Sequence, residues 1–153
     1  METTTDVLLD TNVLLRTQFD KSHQLTSATR ALVALRTQGN TLRVASQSFA
    51  EFWNVSTRPV SANGFGLSFE ETDRRLQFFE SSLAPLYESE MSYTVWRKLL
   101  LGYKVQGVQV HDARLVSVML ANQIHRILTF NTKDFERFDE IEPIHPDHYA
   151  DHL

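Results

Sequence analysis

Several acidic side chains in this chain fall where open α/β proteins do chemistry. In Val7-Leu8-Leu9-Asp10-Thr11-Asn12-Val13-Leu14-Leu15 a short apolar run meets a carboxylate and two small polar residues, then resumes with apolar residues that suit a helix. That pattern sets Asp10 at the carboxyl end of a buried strand, the edge where parallel sheets keep their ligands. Asp, Thr and Asn are also good helix N-caps, so the tripeptide reads equally as a cap unless other acids are placed to meet Asp10. Glu51, Asp112 and the pair Asn131 and Asp134 are candidates, each at or near the end of an element. Two carboxylates about 5 Å apart repel by roughly 3 kcal/mol at an effective dielectric near 20, so such a cluster calls for a cation. Mg²⁺ takes one or two carboxylates and keeps several waters, and water activated there attacks a phosphodiester in line. Nuclease, phosphatase and phosphotransferase chemistry all fit. Against this, acids gather at helix N-termini for dipole reasons alone.

The elements that must position these residues follow from periodicity. After the first strand a short helix begins at Val13. A second spans 22–38, with Leu25, Ala28, Leu32 and Leu35 on one face and Gly39 as its stop. Residues 41–45 read as a strand, and 46–57 as a helix through Phe49, Phe52 and Trp53 that Arg58-Pro59 ends. Asn63-Gly64-Phe65-Gly66 is a loop. Ser68 and Glu71 form a capping-box pattern that opens a helix with Phe69, Leu76, Phe79 and Leu83 on one face. This region is either a protruding clip or part of the core. A strand over 83–87 follows, then a helix over 93–103 with Trp96, Leu99, Leu100 and Tyr103 in a stripe. Another helix starts near His111-Asp112, carrying Ala113, Val116, Leu120 and Ile124, and strands over 127–130 and 142–145 close the pattern. Strands alternating with helices predict a central parallel sheet with helices on both faces, a three-layer α/β/α domain.

The 153 residues, 42% hydrophobic and 22% charged, fit one domain over 1–153. No run of eighteen apolar residues and no basic-then-apolar leader occurs, so a soluble, cytoplasmic protein without a membrane span is expected. The absence of cysteine excludes disulfides and thiolate metal sites, leaving oxygen and imidazole ligands and a hard cation, Mg²⁺ or Mn²⁺. A net charge of -4 argues against a broad basic face for coating nucleic acid.

Four blocks in order carry a resemblance. They are Leu9-Asp10-Thr11-Asn12; Gln47 with Glu51-Phe52-Trp53-Asn54-Val55 and Thr57-Arg58-Pro59; Val110-His111-Asp112-Ala113-Arg114-Leu115; and Leu128-Thr129-Phe130-Asn131-Thr132-Lys133-Asp134-Phe135. From about residue 7 to 146 the chain resembles the PIN-domain ribonucleases, specifically the VapC-type toxins of bacterial toxin-antitoxin pairs. The resemblance implies an endoribonuclease in which Asp10, Glu51 and Asp112 match the first three family acids around Mg²⁺ or Mn²⁺. The fourth acid falls on Asn131, a departure from the pattern, and Thr11 matches the polar residue that orients water at the metal. It further implies an RNA substrate, a cognate antitoxin whose basic side chain blocks the acidic groove, and a homodimer. Asp134, three residues beyond Asn131, replaces the missing acid if the segment closes into a helical turn; otherwise it pairs locally with Lys133 or Arg137. Arg16, Arg58, Arg114, Lys133 and Arg137 are candidate phosphate contacts or ordinary surface cations. His111 is a ligand or an oriented neighbour. Two other readings remain open at this point: an aspartate-nucleophile phosphatase, which lacks its general acid because Asn12 stands at the third position of Asp-x-Asp, and a non-cleaving RNA- or protein-binding module, which Asn131 favours.

Overall fold

The computed structural model describes residues 5–21 and 23–151. Strand β1 (Asp6–Leu9) is buried on both sides, which its unbroken apolar run requires. Helices α1 (Thr11–Gln18) and α2 (Gln24–Thr37) lead to strand β2 (Thr41–Ala45), followed by α3 (Ser46–Thr57) and α4 (Phe69–Ser82). Strand β3 (Ala84–Leu86), helices α5 (Glu90–Gly102) and α6 (Val110–Ala121), and strands β4 (Arg126–Leu128) and β5 (Glu142–Ile144) complete the order. The five strands are all parallel, in the order β3-β2-β1-β4-β5. From β1 the chain runs outward first through β2 and β3, then returns to the other side of β1 for β4 and β5. The switch point therefore lies between β1 and β4, where an open sheet leaves a crevice beyond its carboxyl ends.

The two faces of the sheet have separate cores, and alternate residues of β1 feed them. Val7 and Leu9 pack with Val13 and Leu14 of α1, Ala28, Ala31 and Leu35 of α2, Phe49 and Phe52 of α3 and Phe79 of α4. Leu8 packs on the opposite side with Leu99 of α5, Ala113, Val116 and Met119 of α6, and Phe135 and Phe138 of the segment after β4. This is the three-layer α/β/α arrangement expected from the alternation of elements. The rings of Phe52 and Phe79 meet edge to face, 5.1 Å between centroids, and such pairs add about 1 kcal/mol to what burial supplies. That contact makes α4 part of the core rather than a detached clip. No helix among the described residues is long and apolar enough to cross a membrane.

Differences from the sequence expectations have local causes. Helix α2 begins at Gln24, after His23 in a left-handed conformation, and Ser22 lies outside the described residues. Its buried stripe is Ala28, Ala31, Ala34 and Leu35, whereas Leu25 in the first turn overhangs the core and is exposed. Gly39, at φ +87°, ends that helix as expected. Ser68 caps α4 through the Glu71 N–H, but the Glu71 carboxylate turns to Arg74 and Arg75 instead of closing the box, and Phe69 is exposed. Helix α5 starts three residues earlier than the aromatic stripe implies, because Ser89 and Ser92 cap it reciprocally. Strand β4 ends at Leu128, not at 130: the N–H groups of Phe130 and Asn131 leave the ladder for side-chain acceptors, Asn12 Oδ1 and Thr129 Oγ1.

Candidate functional site

Asp10 stands where β1 gives way to α1, at the switch point, its N–H donating to the Leu128 carbonyl at 3.0 Å. One carboxylate oxygen accepts from the Thr11 N–H at 2.8 Å and caps α1. The other accepts from the Thr129 hydroxyl at 2.8 Å and the Asn12 amide at 3.3 Å. The cap reading and the site reading thus describe one residue. Only 9% of Asp10 is exposed, and burial pushes its carboxyl from 3.8 up to about 6 against the pull of the Thr129 and Thr11 hydrogen bonds; the charges of Glu51 and Asp134 push the same way as burial.

Thr129, which the sequence does not single out, and Asn12, read there as part of a cap, hold this corner together. The Thr129 hydroxyl spends its proton on Asp10 and accepts from Asn12 Nδ2 at 3.2 Å and the Asn131 N–H at 3.0 Å, so its full capacity is used. Asn12 Oδ1 accepts from the Phe130 N–H at 3.1 Å. A carboxamide has no proton to give near neutral pH, so Asn12 cannot serve as the general acid an aspartate-based phosphatase needs; here it is a structural brace. The usable signal was the alignment of Thr129 with Asp10 at the ends of two adjacent parallel strands.

Glu51 projects from α3 and is fixed from two sides. The Thr11 hydroxyl donates to Oε2 at 2.5 Å, and Gln47, one turn earlier on α3, donates to Oε1 at 3.0 Å. The same Gln47 amide nitrogen reaches the His111 carbonyl at 3.2 Å, tying α3 to the start of α6. Thr11 therefore orients Glu51. Asp112, in the first turn of α6, is half-buried. Burial raises its carboxyl to about 6, reinforced by the charges of Asp134, Asp10 and Glu51 in that order, while Arg137 opposes. Asp134 ends a 3-10 turn over Thr132–Asp134 opened by Asn131, and its charge acts on both Asp10 and Asp112. Asn131 is exposed.

Four carboxylates thus influence one another at the carboxyl edge of the sheet, with Asp10 and Asp112 both held above their ordinary range. Among the described residues no three of them converge into a ready-made metal cage. The donor set still fits Mg²⁺ or Mn²⁺, because such ions take one or two carboxylates directly and meet other acids through water.

The candidate cations divide. Arg114 is paired with Glu88, which raises its pKa, and it lines a recess of about 450 Å³ with Glu51, Asn54 and His111. Arg16 donates to the Phe19 carbonyl at 3.1 Å, and Arg58 to that of Asn63 at 3.0 Å, so both brace local backbone. Arg137 donates to the Tyr103 carbonyl at 2.8 Å and to Gln109, and forms no ion pair with Asp134 among the described residues. Lys133 is exposed in the turn before Asp134.

The family model of the PIN domain matches residues 7–141. The chain belongs to the PIN domain family. This PIN domain is similar in fold to a chain in the crystal structure of VapBC2 from Rickettsia felis bound to a promoter DNA fragment, with 19% identity, a TM-score of 0.68 and coverage of 92% of this chain and 98% of that one. A chain of VapBC-1 from nontypeable Haemophilus influenzae gives 17% identity and a TM-score of 0.68, with the same coverages. A chain of FitAcB from Neisseria gonorrhoeae gives 14% identity and a TM-score of 0.63, covering 93% of this PIN domain and 99% of that chain. No curated protein matches the sequence.

Proposed function

We propose that this single PIN domain is a metal-dependent endoribonuclease and the toxin of a VapBC-type toxin-antitoxin module. The observation carrying the proposal is that the charges of Glu51 and Asp134 act on both Asp10 and Asp112 at the carboxyl edge of the sheet, the latter two held above the ordinary carboxylate range. When bound, Mg²⁺ or Mn²⁺ supplies the positive charge that offsets these acids and the charge developing on a phosphodiester under attack. The chain's own contribution is preorganisation. Asp10 is locked by Thr11, Thr129 and Asn12, and Glu51 by Thr11 and Gln47, so neither must reorient during the reaction. Asp112 makes no side-chain hydrogen bond among the described residues, and its oxygens are free to accept one from the attacking water. Asp134 takes the place of the acid missing at Asn131, and Arg114 and Lys133 contact RNA phosphates. The test is cleavage of a mixed RNA pool in Mg²⁺, in Mn²⁺ and in EDTA. Cutting in the first two only, lost in Asp112→Asn, supports the assignment; an intact pool throughout refutes it.

Similarity to chains solved in VapBC complexes supports an antitoxin partner, encoded beside this gene, that places a basic side chain in the acidic groove. An apolar groove of about 480 Å³ between α1, α2 and α4, bordered by the exposed rings and branches of Phe78 and Val33, suits the apolar face of that partner. We propose that the chain also forms a homodimer, as the resemblance to VapC-type toxins implies.

A further inference from the structure

A second cleft, of about 420 Å³, opens between α5 and α6 beside the acidic site. Its walls are Tyr93 and Trp96 on one side and Val110, His111 and Arg114 on the other, with Glu88 at the rim. The volume falls within the roughly 300–1,000 Å³ typical of small-ligand pockets. The rings of Tyr93 and Trp96 lie 5.9 Å apart, tilted by 45°, and the Trp96 indole N–H donates to the Val110 carbonyl at 2.9 Å, which fixes its plane. Tyr93 is 60% exposed, an aromatic face presented to solvent and not consumed by the core. Arg114 and Glu88 form a two-point ion pair, 2.9 Å at Nη2–Oε2, which uses the Nε–Nη2 edge of the guanidinium, leaves Nη1 for a phosphate and sets an acceptor at the mouth.

What ties this cleft to RNA is continuity. His111 and Arg114 line both it and the recess that contains Glu51, and His111 directly precedes Asp112. A strand whose phosphate lies on the acids and whose neighbouring phosphate meets Arg114 would place its next base over the aromatic pair. We propose that this cleft is a base-binding subsite. It takes one unpaired nucleobase next to the scissile phosphate, stacked on Tyr93 and Trp96, with its edge read by Glu88 while Arg114 holds the phosphate. The inference rests on the nuclease reading for the position of the phosphate, but base binding itself needs no catalysis.

Binding is read in EDTA from Trp96 fluorescence in the Trp53→Phe background, titrating short single-stranded RNA and the four nucleoside monophosphates. Cut sites are then mapped on a random RNA pool in Mn²⁺. The expected result is quenching that Tyr93→Ala weakens roughly ten- to hundredfold, with base preference flattened at one position beside the cut. Glu88→Gln, which frees Arg114, is expected to change which base is preferred. If RNA is cut but Tyr93→Ala leaves affinity and base preference untouched, the subsite is refuted and the nuclease stands. Tyr93-dependent quenching with no cutting by any metal supports the subsite and removes the nuclease. If Tyr93→Ala alters only self-association or antitoxin binding, the cleft belongs to a protein interface and the proposal fails.

Discussion

Replacing Asp10 by asparagine should make the metal-free protein more stable at neutral pH, although it removes a helix-capping carboxylate. The folded-state pKa of about 6 lies above the unfolded 3.8, so the native protein holds this proton more tightly than the unfolded chain. The associated stability is fully present below pH 4 and is lost as pH rises through 6. A shift of two units corresponds to about 3 kcal/mol at pH 7.5, of which about 1 kcal/mol is already lost by pH 4.5. The new amide keeps an oxygen for the Thr11 N–H, but its NH₂ faces the Asn12 amide nitrogen, which donated to the lost oxygen at 3.3 Å, and a Thr129 hydroxyl whose lone pairs Asn12 and Asn131 already occupy, a mismatch of about 1 kcal/mol. Wild type and Asp10→Asn should therefore be equally stable near pH 4.5 in EDTA, and the variant about 2 kcal/mol more stable at pH 7.5. For a chain of this size that is a rise of roughly 4–8 °C in Tm. Urea melts of both proteins at the two pH values provide the measurement. With millimolar Mg²⁺ the gap should close, because only wild type gains the stabilisation of a bound cation. A gap that does not change with pH, or a variant less stable at pH 7.5, would show Asp10 to be an ordinary cap and refute the strained-carboxylate argument.

Thr11→Val removes the 2.5 Å hydrogen bond to Glu51 and should lower kcat for RNA cleavage by roughly ten- to hundredfold with little change in KM; an unaltered kcat would separate Glu51 from the chemistry. Calorimetric Mn²⁺ titration should show weaker binding in Asp134→Asn and tighter binding in Asn131→Asp, and unchanged affinity in the former would remove Asp134 from the site. Expression of the wild-type chain should arrest growth of a bacterial host, with rescue by the neighbouring antitoxin gene through a co-purifying complex. Normal growth with folded product present would contradict the toxin role.

The parts of the fold that local rules control were legible in the sequence. Strand β2 and helix α3 have the boundaries that periodicity and Arg58-Pro59 set, and Asp10 sits at the strand end that its apolar run implies. What the sequence hid depends on which surface meets which. Leu25 and Phe69 have core spacing but lie on first turns beyond the reach of the facing layer, so they stay exposed. At the site, the acids were visible as residue types, whereas their keepers were not. Thr129 and Gln47 are ordinary polar residues until the sheet order sets Thr129 beside Asp10, and α6 brings the His111 carbonyl to Gln47. The carbonyls of Phe19 and Asn63, to which Arg16 and Arg58 donate, were equally hidden, because spacing along the chain does not say which backbone group a guanidinium will meet.

The hydrogen bond between Thr129 and Asp10 joins residues 119 apart in sequence. During synthesis, Asp10, α1 and α3 leave the ribosome long before β4, so the growing chain lacks both the central neighbour of β1 and the hydroxyl that steadies its first acid. Contacts of such separation close late in folding. On the reading proposed here, a nascent toxin stays harmless to the RNA around it until nearly the whole chain has emerged, and fragments ending before Thr129 carry Asp10, Glu51 and Asp112 without a working arrangement of them. Premature termination would then yield inert protein, a safeguard built into the order of the strands.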